Sequence, residues 1–403
     1  MLFNAFGVNF LFMGMRKAPC LQWRGAYNII TYSFDGSGGD TVSRALIAMS
    51  GGVDSSASAL LMKRAGFDCV GVTMRLFDHE DAEVRPDKAC CTDDDVADAV
   101  LVCLKMDIPH HVVDFKAQFR ETVMDPFVDA YENGRTPNPC INCNRYLKFE
   151  ELFRQADALG CEFIVTGHYA RVEHNDETGR WELKKAAFLE KDQSYVLFNL
   201  TQEQLARIRF PLGAMSKTDA RAVAEEAGFR NAQKHESQDI CFVPTGRYTD
   251  FIEKYTGKTY PHGAFVDVRN GSVLGEHRGI IRYTVGQRKG LGLALPQPMY
   301  VTKVDPGENK VYLGLNDDLF TTTLLAEDVN WISVPGLEPG ESLRVTAKVR
   351  YKQPDRPATV TAMDDGRIKV VFDEPQRAIT KGQAVVLYEG DTVVGGGTIS
   401  ESE

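Results

Sequence analysis

Two groups of residues have the types and spacing that do chemistry: the run Met49-Ser50-Gly51-Gly52-Val53-Asp54-Ser55-Ser56, and a set of cysteines further along the chain. In the run, two glycines let the backbone approach a ligand closely. Successive N–H groups at a helix N-terminus then form a positive concavity suited to phosphate oxygens. Ser50, Ser55 and Ser56 add hydroxyl donors, and Asp54 is placed to hold Mg²⁺ against the phosphates. The lysine of the G-x-x-x-x-G-K-[ST] loop is missing, so this is not the usual loop for γ-phosphate transfer. The bland alternative is a glycine turn with a Ser/Asp helix cap. S-G-G-x-D-S-S directly after an apolar strand is far more specific than that.

Among the nine cysteines, Cys140 and Cys143 stand in Asn138-Pro139-Cys140-Ile141-Asn142-Cys143-Asn144. This segment reads as a loop just before a helix, where the N-terminal dipole lowers a thiol pKa and raises the thiolate fraction. Cys241, in Ser237-Gln238-Asp239-Ile240-Cys241-Phe242, is the natural distant partner. Cys69, Cys103 and Cys161 sit in apolar runs and read as inert core residues. An odd total that includes the neighbours Cys90 and Cys91 does not resemble the even framework of a secreted domain. A reducing cytoplasm, with thiols kept for chemistry or metal, fits better.

These groups need elements to position them. From Arg44 to about Phe115 the pattern alternates strand and helix: RALIAM, DSSASALLMKRA closed by Gly66, DCVGVTM, TDDDVADAVLVCLKM and HHVVDF. Such alternation predicts a parallel sheet covered by helices, an α/β domain. A helix from Asn144 to Leu159 follows, then the buried strand EFIVT, then a hairpin over ARVEHNDETGRWELKKA. Two more helices are expected around 217–227 and 248–255. After Gly263, short strand-like runs separated by Gly, Pro, Asn and Asp predict small β-domains with a break near Leu319. The expected division is 1–43 as an N-terminal extension, 44–245 as the catalytic domain, 246–318 as a small central β-rich domain and 319–403 as a β-barrel.

Composition sets bounds on this. At 403 residues, two or three domains are the prior. Net charge is −10, which argues against a surface that coats nucleic acid throughout. Charge is uneven, however: positions 343–382 hold nine Lys or Arg against five acids, so a basic face is compatible with the acidic whole. No apolar run reaches the roughly 18 residues that a membrane helix requires. The first 43 residues are apolar and Phe-rich, with Arg16 and Lys17 after the apolar stretch rather than before it. That order is wrong for a secretory signal, and a disordered extension is expected.

With Thr166-Gly167-His168-Tyr169-Ala170, Lys191-Asp192-Gln193-Ser194 and Arg350-Tyr351 added, the chain resembles the bacterial tRNA-specific 2-thiouridylases, the MnmA family of PP-loop ATP pyrophosphatases. The likeness runs from about Arg44 almost to the C-terminus. It implies a PP-loop domain, a central domain and a C-terminal β-barrel that together put sulfur on the wobble uridine of tRNA, a sulfurtransferase reaction. By the same likeness Ala48, Met49, Ser50, Gly51, Gly52, Val53, Asp54, Ser55, Met74 and Gly167 hold ATP with Mg²⁺. Asn138, Pro139 and Cys140 meet the target base; His168, Lys191, Asp192, Gln193, Arg350, Tyr351 and Gln383 contact tRNA. Cys241 carries a persulfide received from a carrier protein or a cysteine desulfurase, and Cys143 is the nucleophile that forms a transient disulfide with it.

Many members of the family have Asp where this chain has Cys140. The C-x-x-C pair with Cys241 therefore leaves a second sulfur carrier open, a [4Fe–4S] cluster on Cys140, Cys143 and Cys241. A structural zinc site is a third reading. Rival functions are a PP-loop enzyme adenylating a small molecule, which has no need of the Cys143 and Cys241 pair, and a non-catalytic RNA-binding protein with a relic nucleotide loop. A thiolase acting on another tRNA position also remains open.

Overall fold

The computed structural model describes residues 42–77, 93–234, 240–243 and 247–402. The extension up to residue 41, Cys90, Cys91 and Ser237-Gln238-Asp239 lie outside these.

Strand β1 (Arg44–Ala48) is apolar on both sides. Ala45, Ile47 and the following Met49 join one buried cluster with Val53, Met62, Ala99, Val102 and Ala224. Leu46 and Ala48 join another with Phe119, Phe127, Leu147, Leu152 and Phe242. Burial of alternate residues on opposite faces is what a central parallel strand requires. Around it lie β2 (Asp68–Arg75), β3 (His110–Asp114) and β4 (Phe163–Val165), followed in the chain by the hairpin β5 (Arg171–Asn175) and β6 (Arg180–Lys184), and by β7 (Ile208–Arg209). The sheet order is β3-β2-β1-β4-β7, with every pairing parallel. The order reverses between β1 and β4, and ligands of open α/β sheets bind beyond the carboxyl ends of strands at such a switch.

Helix α1 (Val53–Arg64) leaves directly from β1, and α2 (Asp93–Lys105) carries Asp93, Asp94 and Asp95 in its first turn, where carboxylates complement the dipole. Next come α3 (Lys116–Phe119), a π-helical turn Arg120–Met124 and α4 (Asp125–Glu132). A second run joins α5 (Pro139–Asn142), the π-helical stretch Cys143–Glu151 and α6 (Leu152–Ala158). The expected start of this run, Asn144, is too late. Asn138 is the cap: its backbone is extended and its side chain accepts from Cys140 N, while Pro139 occupies the first position, where a missing N–H costs nothing. Cys140 and Cys143 are thus helical rather than on a loop. Helices α7 (Gln202–Arg207), α8 (Lys217–Glu226) and α9 (Tyr248–Thr256) complete the set used here.

Beyond α9, β8 (Gly263–Asp267), β9 (Val273–His277), β10 (Tyr300–Asp305) and β11 (Lys310–Gly314) form a sheet of order β10-β11-β8-β9 around Phe265, Val301, Val311 and Leu313. The last strands are β12 (Phe320–Trp331), β13 (Ser342–Lys348), β14 (Arg356–Ala362), β15 (Ile368–Arg377), β16 (Ala384–Glu389) and β17 (Thr392–Ser402). They run β12-β15-β14-β13-β16-β17, and pairing of β12 with β17 closes the barrel. Parallel-sheet domain, small central domain and barrel therefore follow in the expected order. One element changes allegiance: β6 pairs with β17 at Lys184 and Thr392, so the β5–β6 hairpin extends the barrel sheet. A shared core containing Ile141, Phe149, Tyr195, Phe198, Ala384, Val386 and Tyr388 joins barrel and catalytic helices. No helix among the described residues is long and apolar enough to cross a membrane.

Candidate active site

The phosphate loop sits at the switch point. Met49 N donates to Val72 O at 2.8 Å, carrying β1 one residue further, and the chain then turns at Gly51 with φ +72°. That left-handed conformation and the lack of space both require glycine, because a Cβ on Gly51 would lie 2.2 Å from Asp95 O. Ser55 Oγ donates to Gly52 O at 3.0 Å and accepts from Ser50 N at 3.2 Å, which fixes the loop against the first turn of α1. Gly167, just after β4, packs on the same turn: a Cβ there would lie 2.9 Å from Asp54 Cβ and 3.0 Å from Ser55 N. Met74, on β2, is buried in the cluster that holds Ala48. The loop residues and Gly167 thus meet in one place. A positive-φ glycine, hydroxyls and a helix start that no side chain caps by a hydrogen bond form a donor set that fits a pyrophosphate group.

Sequence reading missed the partners of Asp54. Tyr169 Oη donates to Asp54 Oδ1 at 2.8 Å, and Lys217 Nζ donates to both carboxylate oxygens at 2.7 and 2.8 Å. A lysine therefore does reach this loop, from 163 positions away. The signal for it was indirect: Ser216 and Asp219 form a capping box, which fixes the helix start at Lys217. Asn231, 3% exposed, donates to Gly51 O at 2.8 Å and Ser56 Oγ at 2.9 Å.

Cys143 and Cys241, 98 positions apart in sequence, are both half-buried against the apolar cluster that Ala48 also touches. Phe242 anchors the second of them, with ring centroids 5.6, 5.2 and 5.0 Å from Phe119, Phe127 and Phe251. Cys140 is exposed. The Tyr351 hydroxyl is pushed up by burial and then by the charges of Asp192 and Cys140. A cavity of about 290 Å³ lies beside Asn138, Pro139 and Asn142 and is closed from the barrel side by Gly382 and Ala384. No three His, Cys, Asp or Glu side chains among the described residues are arranged to hold a metal ion. Neither the [4Fe–4S] cluster nor the zinc site read at Cys140, Cys143 and Cys241 is supported among the described residues. Cys69, Cys103 and Cys161 are buried, and burial pushes Cys69 up to about 11 and Cys103 up to about 12.

The residues expected to contact tRNA divide by burial. His168 is 7% exposed, its Nδ1 is 2.7 Å from Thr166 Oγ1, and Phe149 and Phe210 flank its ring. Burial and then the Lys148 charge hold its pKa well below the ordinary value, so it is an uncharged interior group. Asp192 is also buried and accepts from Ala186 N, Ser194 N and Ser194 Oγ. Gln193 Oε1 accepts from Tyr169 N at 2.9 Å, with Lys191 partly exposed two residues earlier. Gln383 Nε2 donates to Thr136 O at 2.8 Å, tying the barrel to the root of the Asn138 cap. Arg350 Nη2 donates to Val285 O, Ala378 O and Thr380 Oγ1, so the guanidinium bridges the central domain and the barrel. Lys348, unnoticed in the sequence, lies 5.7 Å from the centres of both the Tyr195 and Tyr351 rings.

Family profiles match along the whole of this architecture. Residues 43–245 match the tRNA methyl transferase HUP domain, 249–315 the tRNA methyl transferase PRC-barrel domain and 321–399 the aminomethyltransferase beta-barrel domain. The tRNA-specific 2-thiouridylase MnmA of Clostridioides difficile (strain 630) is 47% identical over 359 residues, which is 89% of this chain and 98% of that protein. The chain belongs to the tRNA-specific 2-thiouridylase MnmA family. Relatives of the same name from Lachnoclostridium phytofermentans and Clostridium perfringens (strain 13) are 48% and 46% identical, covering 88% and 89% of this chain and 99% of each relative. The profile descriptions speak of methyl transfer. Membership of the 2-thiouridylase MnmA family rests on relatives matched over nearly their full length.

Proposed function

We propose that this chain catalyses ATP-dependent 2-thiolation of the wobble uridine of tRNA, with Cys241 as sulfur carrier and Cys143 as the thiol that releases the sulfur. One observation carries the assignment: Cys143, Cys241 and the end of the strand feeding the phosphate loop rest on one apolar cluster. Both thiols and the strand that feeds the loop are thereby packed on the same apolar core. That pairing separates the reading from an amide synthetase, which needs no thiols, and from a non-catalytic RNA-binding protein, which needs no working loop.

The steps follow from the groups present. ATP is held by the backbone of Ser50 to Val53 and by the Ser50 and Ser55 hydroxyls, with Asp54 suited to Mg²⁺. The uracil C2 oxygen attacks the α-phosphorus and pyrophosphate leaves, so that oxygen becomes part of an AMP leaving group. A base within a stack is out of reach, and the target nucleotide is flipped toward Asn138, Pro139 and Cys140. A carrier protein or cysteine desulfurase loads Cys241 as a persulfide. Cys143 thiolate attacks the inner sulfur of that persulfide, which forms the Cys143–Cys241 disulfide and releases hydrosulfide to attack C2 and expel AMP. Alternatively the terminal sulfur attacks C2 directly, and Cys143 then resolves the linkage to the same disulfide. A thiol reductant restores both cysteines, which suits a reducing cytoplasm. In this reading Lys191, Gln193, Arg350, Tyr351 and Gln383 line the tRNA path, while His168 and Asp192 shape it from beneath.

The test is mass spectrometry of tRNA nucleosides, with pyrophosphate release followed in parallel. Cys143→Ser and Cys241→Ser are expected to abolish 2-thiouridine while tRNA-dependent pyrophosphate release continues. Full thiolation by both variants would remove the assignment.

A further inference from the structure

Strand β13 and the residues just after it send alternate side chains to opposite sides of the barrel wall. Val345, Ala347 and Val349 belong to the barrel core, whereas Thr346, Lys348 and Arg350 are half-buried on the other side. Lys348 ends the strand, and its Nζ lies 5.7 Å from the ring centres of both Tyr195 and Tyr351, which are 6.1 Å from each other. Ring faces attract an ammonium at that range without taking up its N–H groups as an oxygen would. Among the described residues no oxygen accepts a hydrogen bond from Lys348 and no carboxylate forms an ion pair with it. All three of its donors are therefore still to be placed.

The acids nearby are committed elsewhere. Asp192 accepts from Ala186 N, Ser194 N and Ser194 Oγ. Asp355 accepts from Lys185 Nζ at 3.0 Å and from Thr346 Oγ1 at 2.6 Å. Both carboxylates reach Lys348 only through their charge, and Lys185 opposes them with its own. Burial outweighs the two and draws the Lys348 ammonium below its ordinary value. This is a cation whose lost hydration the folded chain has not replaced. Arg350, in the adjoining motif, is differently placed. Its Nη2 serves Val285 O, Ala378 O and Thr380 Oγ1, and its Nε is sealed from solvent, so the guanidinium is largely bound up in joining the domains.

An anion with oxygens on several sides suits a compact ammonium with three donors, and a phosphodiester is such an anion. Half-buried Tyr351 beside it is an aromatic group of the kind on which unstacked bases lie, and a cation next to an aromatic ring is the pairing that binds single-stranded RNA. We propose that Lys348 is a tRNA-binding residue that takes one backbone phosphodiester group beside Tyr351, a role that rests on the thiolation reading given above. The two cations at this strand end then have separate duties. Arg350 holds the barrel to the central domain, and Lys348 meets the substrate.

Full-length Lys348→Met and Lys348→Arg are compared with the unaltered chain. Affinity for an unmodified tRNA transcript with uridine at the wobble position is measured over a range of salt concentration without ATP, and thermal melting is followed on the same samples. Methionine keeps an apolar stem beside the rings and removes the charge. One phosphate contact contributes about 0.7–0.9 to the steepness with which log affinity falls against log salt. Lys348→Met is expected to lose that much steepness, so that it binds about 5- to 8-fold more weakly at about 0.1 M salt and matches the unaltered chain near 1 M. Thiolation at saturating tRNA stays within about twofold while the KM for tRNA rises. Lys348→Arg keeps the salt dependence of the unaltered chain. Lys348→Gln, with the same loss of steepness expected, serves if the methionine variant does not fold. An unchanged salt dependence overturns the inference: with a lowered melting temperature Lys348 is only a counter-charge for Asp192 and Asp355, and with an unaltered one it does nothing at this site. An unaltered chain that binds no tRNA overturns both this inference and the function reading. If it binds tRNA but makes no 2-thiouridine, the function reading alone fails, and the salt dependence still decides whether Lys348 meets a phosphate.

Discussion

Gly167→Ala tests whether the space beside α1 is where the nucleotide is held. The added methyl carbon would sit 2.9 Å from Asp54 Cβ and 3.0 Å from both Asp54 C and Ser55 N, where ordinary contacts begin at 3.4 Å. Three atoms, two of them backbone, must therefore yield by close to half an ångström. Gly167 does not have a positive φ, so the cost is steric rather than conformational. Overpacking of this kind costs about 1–3 kcal/mol. The atoms that can move are those at the start of α1, whose N–H groups hold the pyrophosphate in the proposed reading, so the strain is then relieved at the expense of binding. A loss of 1–3 kcal/mol corresponds to roughly 5- to 150-fold in affinity. The assay is tRNA-dependent pyrophosphate release against ATP concentration, with thermal melting of the same sample. Gly160→Ala is the control: its φ is +66° and no atom lies within 4 Å of the added carbon, so it loses stability without changing the KM for ATP. An ATP KM for Gly167→Ala within about twofold of the unaltered chain, with melting unchanged, would refute the placement of the nucleotide.

His168 and His110 both have pKa values lowered chiefly by burial, so between the unfolded value near 6.5 and the lower folded value the unfolded chain binds more protons. Stability from these groups is complete above about pH 6.5 and is lost as pH falls through that range, by up to about 1.4 kcal/mol per unit for each. His168→Asn is expected to flatten the decline in melting temperature between pH 7 and 5; an unaltered slope would show that its burial contributes nothing. Arg350→Met removes the donor shared by Val285 O, Ala378 O and Thr380 Oγ1, and a loss of about 1–3 kcal/mol should lower the melting temperature by several degrees. If instead only the salt-dependent affinity for tRNA changes, Arg350 is a phosphate contact and not a bridge between domains.

The phosphate loop was legible in sequence because everything that defines it is local. A strand, two glycines, hydroxyls and a helix start occur within a dozen residues, and a nest of backbone N–H groups needs nothing more. Strand and helix order was legible for the same reason, since apolar periodicity reports one face at a time. The helix start at Pro139 was also written in the chain, in Asn138 as cap and proline at the first position. What the sequence could not supply was which distant residues meet. Lys217 and Tyr169 close on Asp54 only because β4 and α8 pack beside β1 and α1. Cys143 and Cys241 share a cluster only because a helical run and the Phe242 anchor lie on the same face of the sheet. His168 and Asp192 look like polar contact residues in a motif, yet packing puts them inside. Local hydrogen bonding and periodicity act over a few residues and can be read from a string; burial and side-chain encounters depend on how elements stack, which only the folded chain decides.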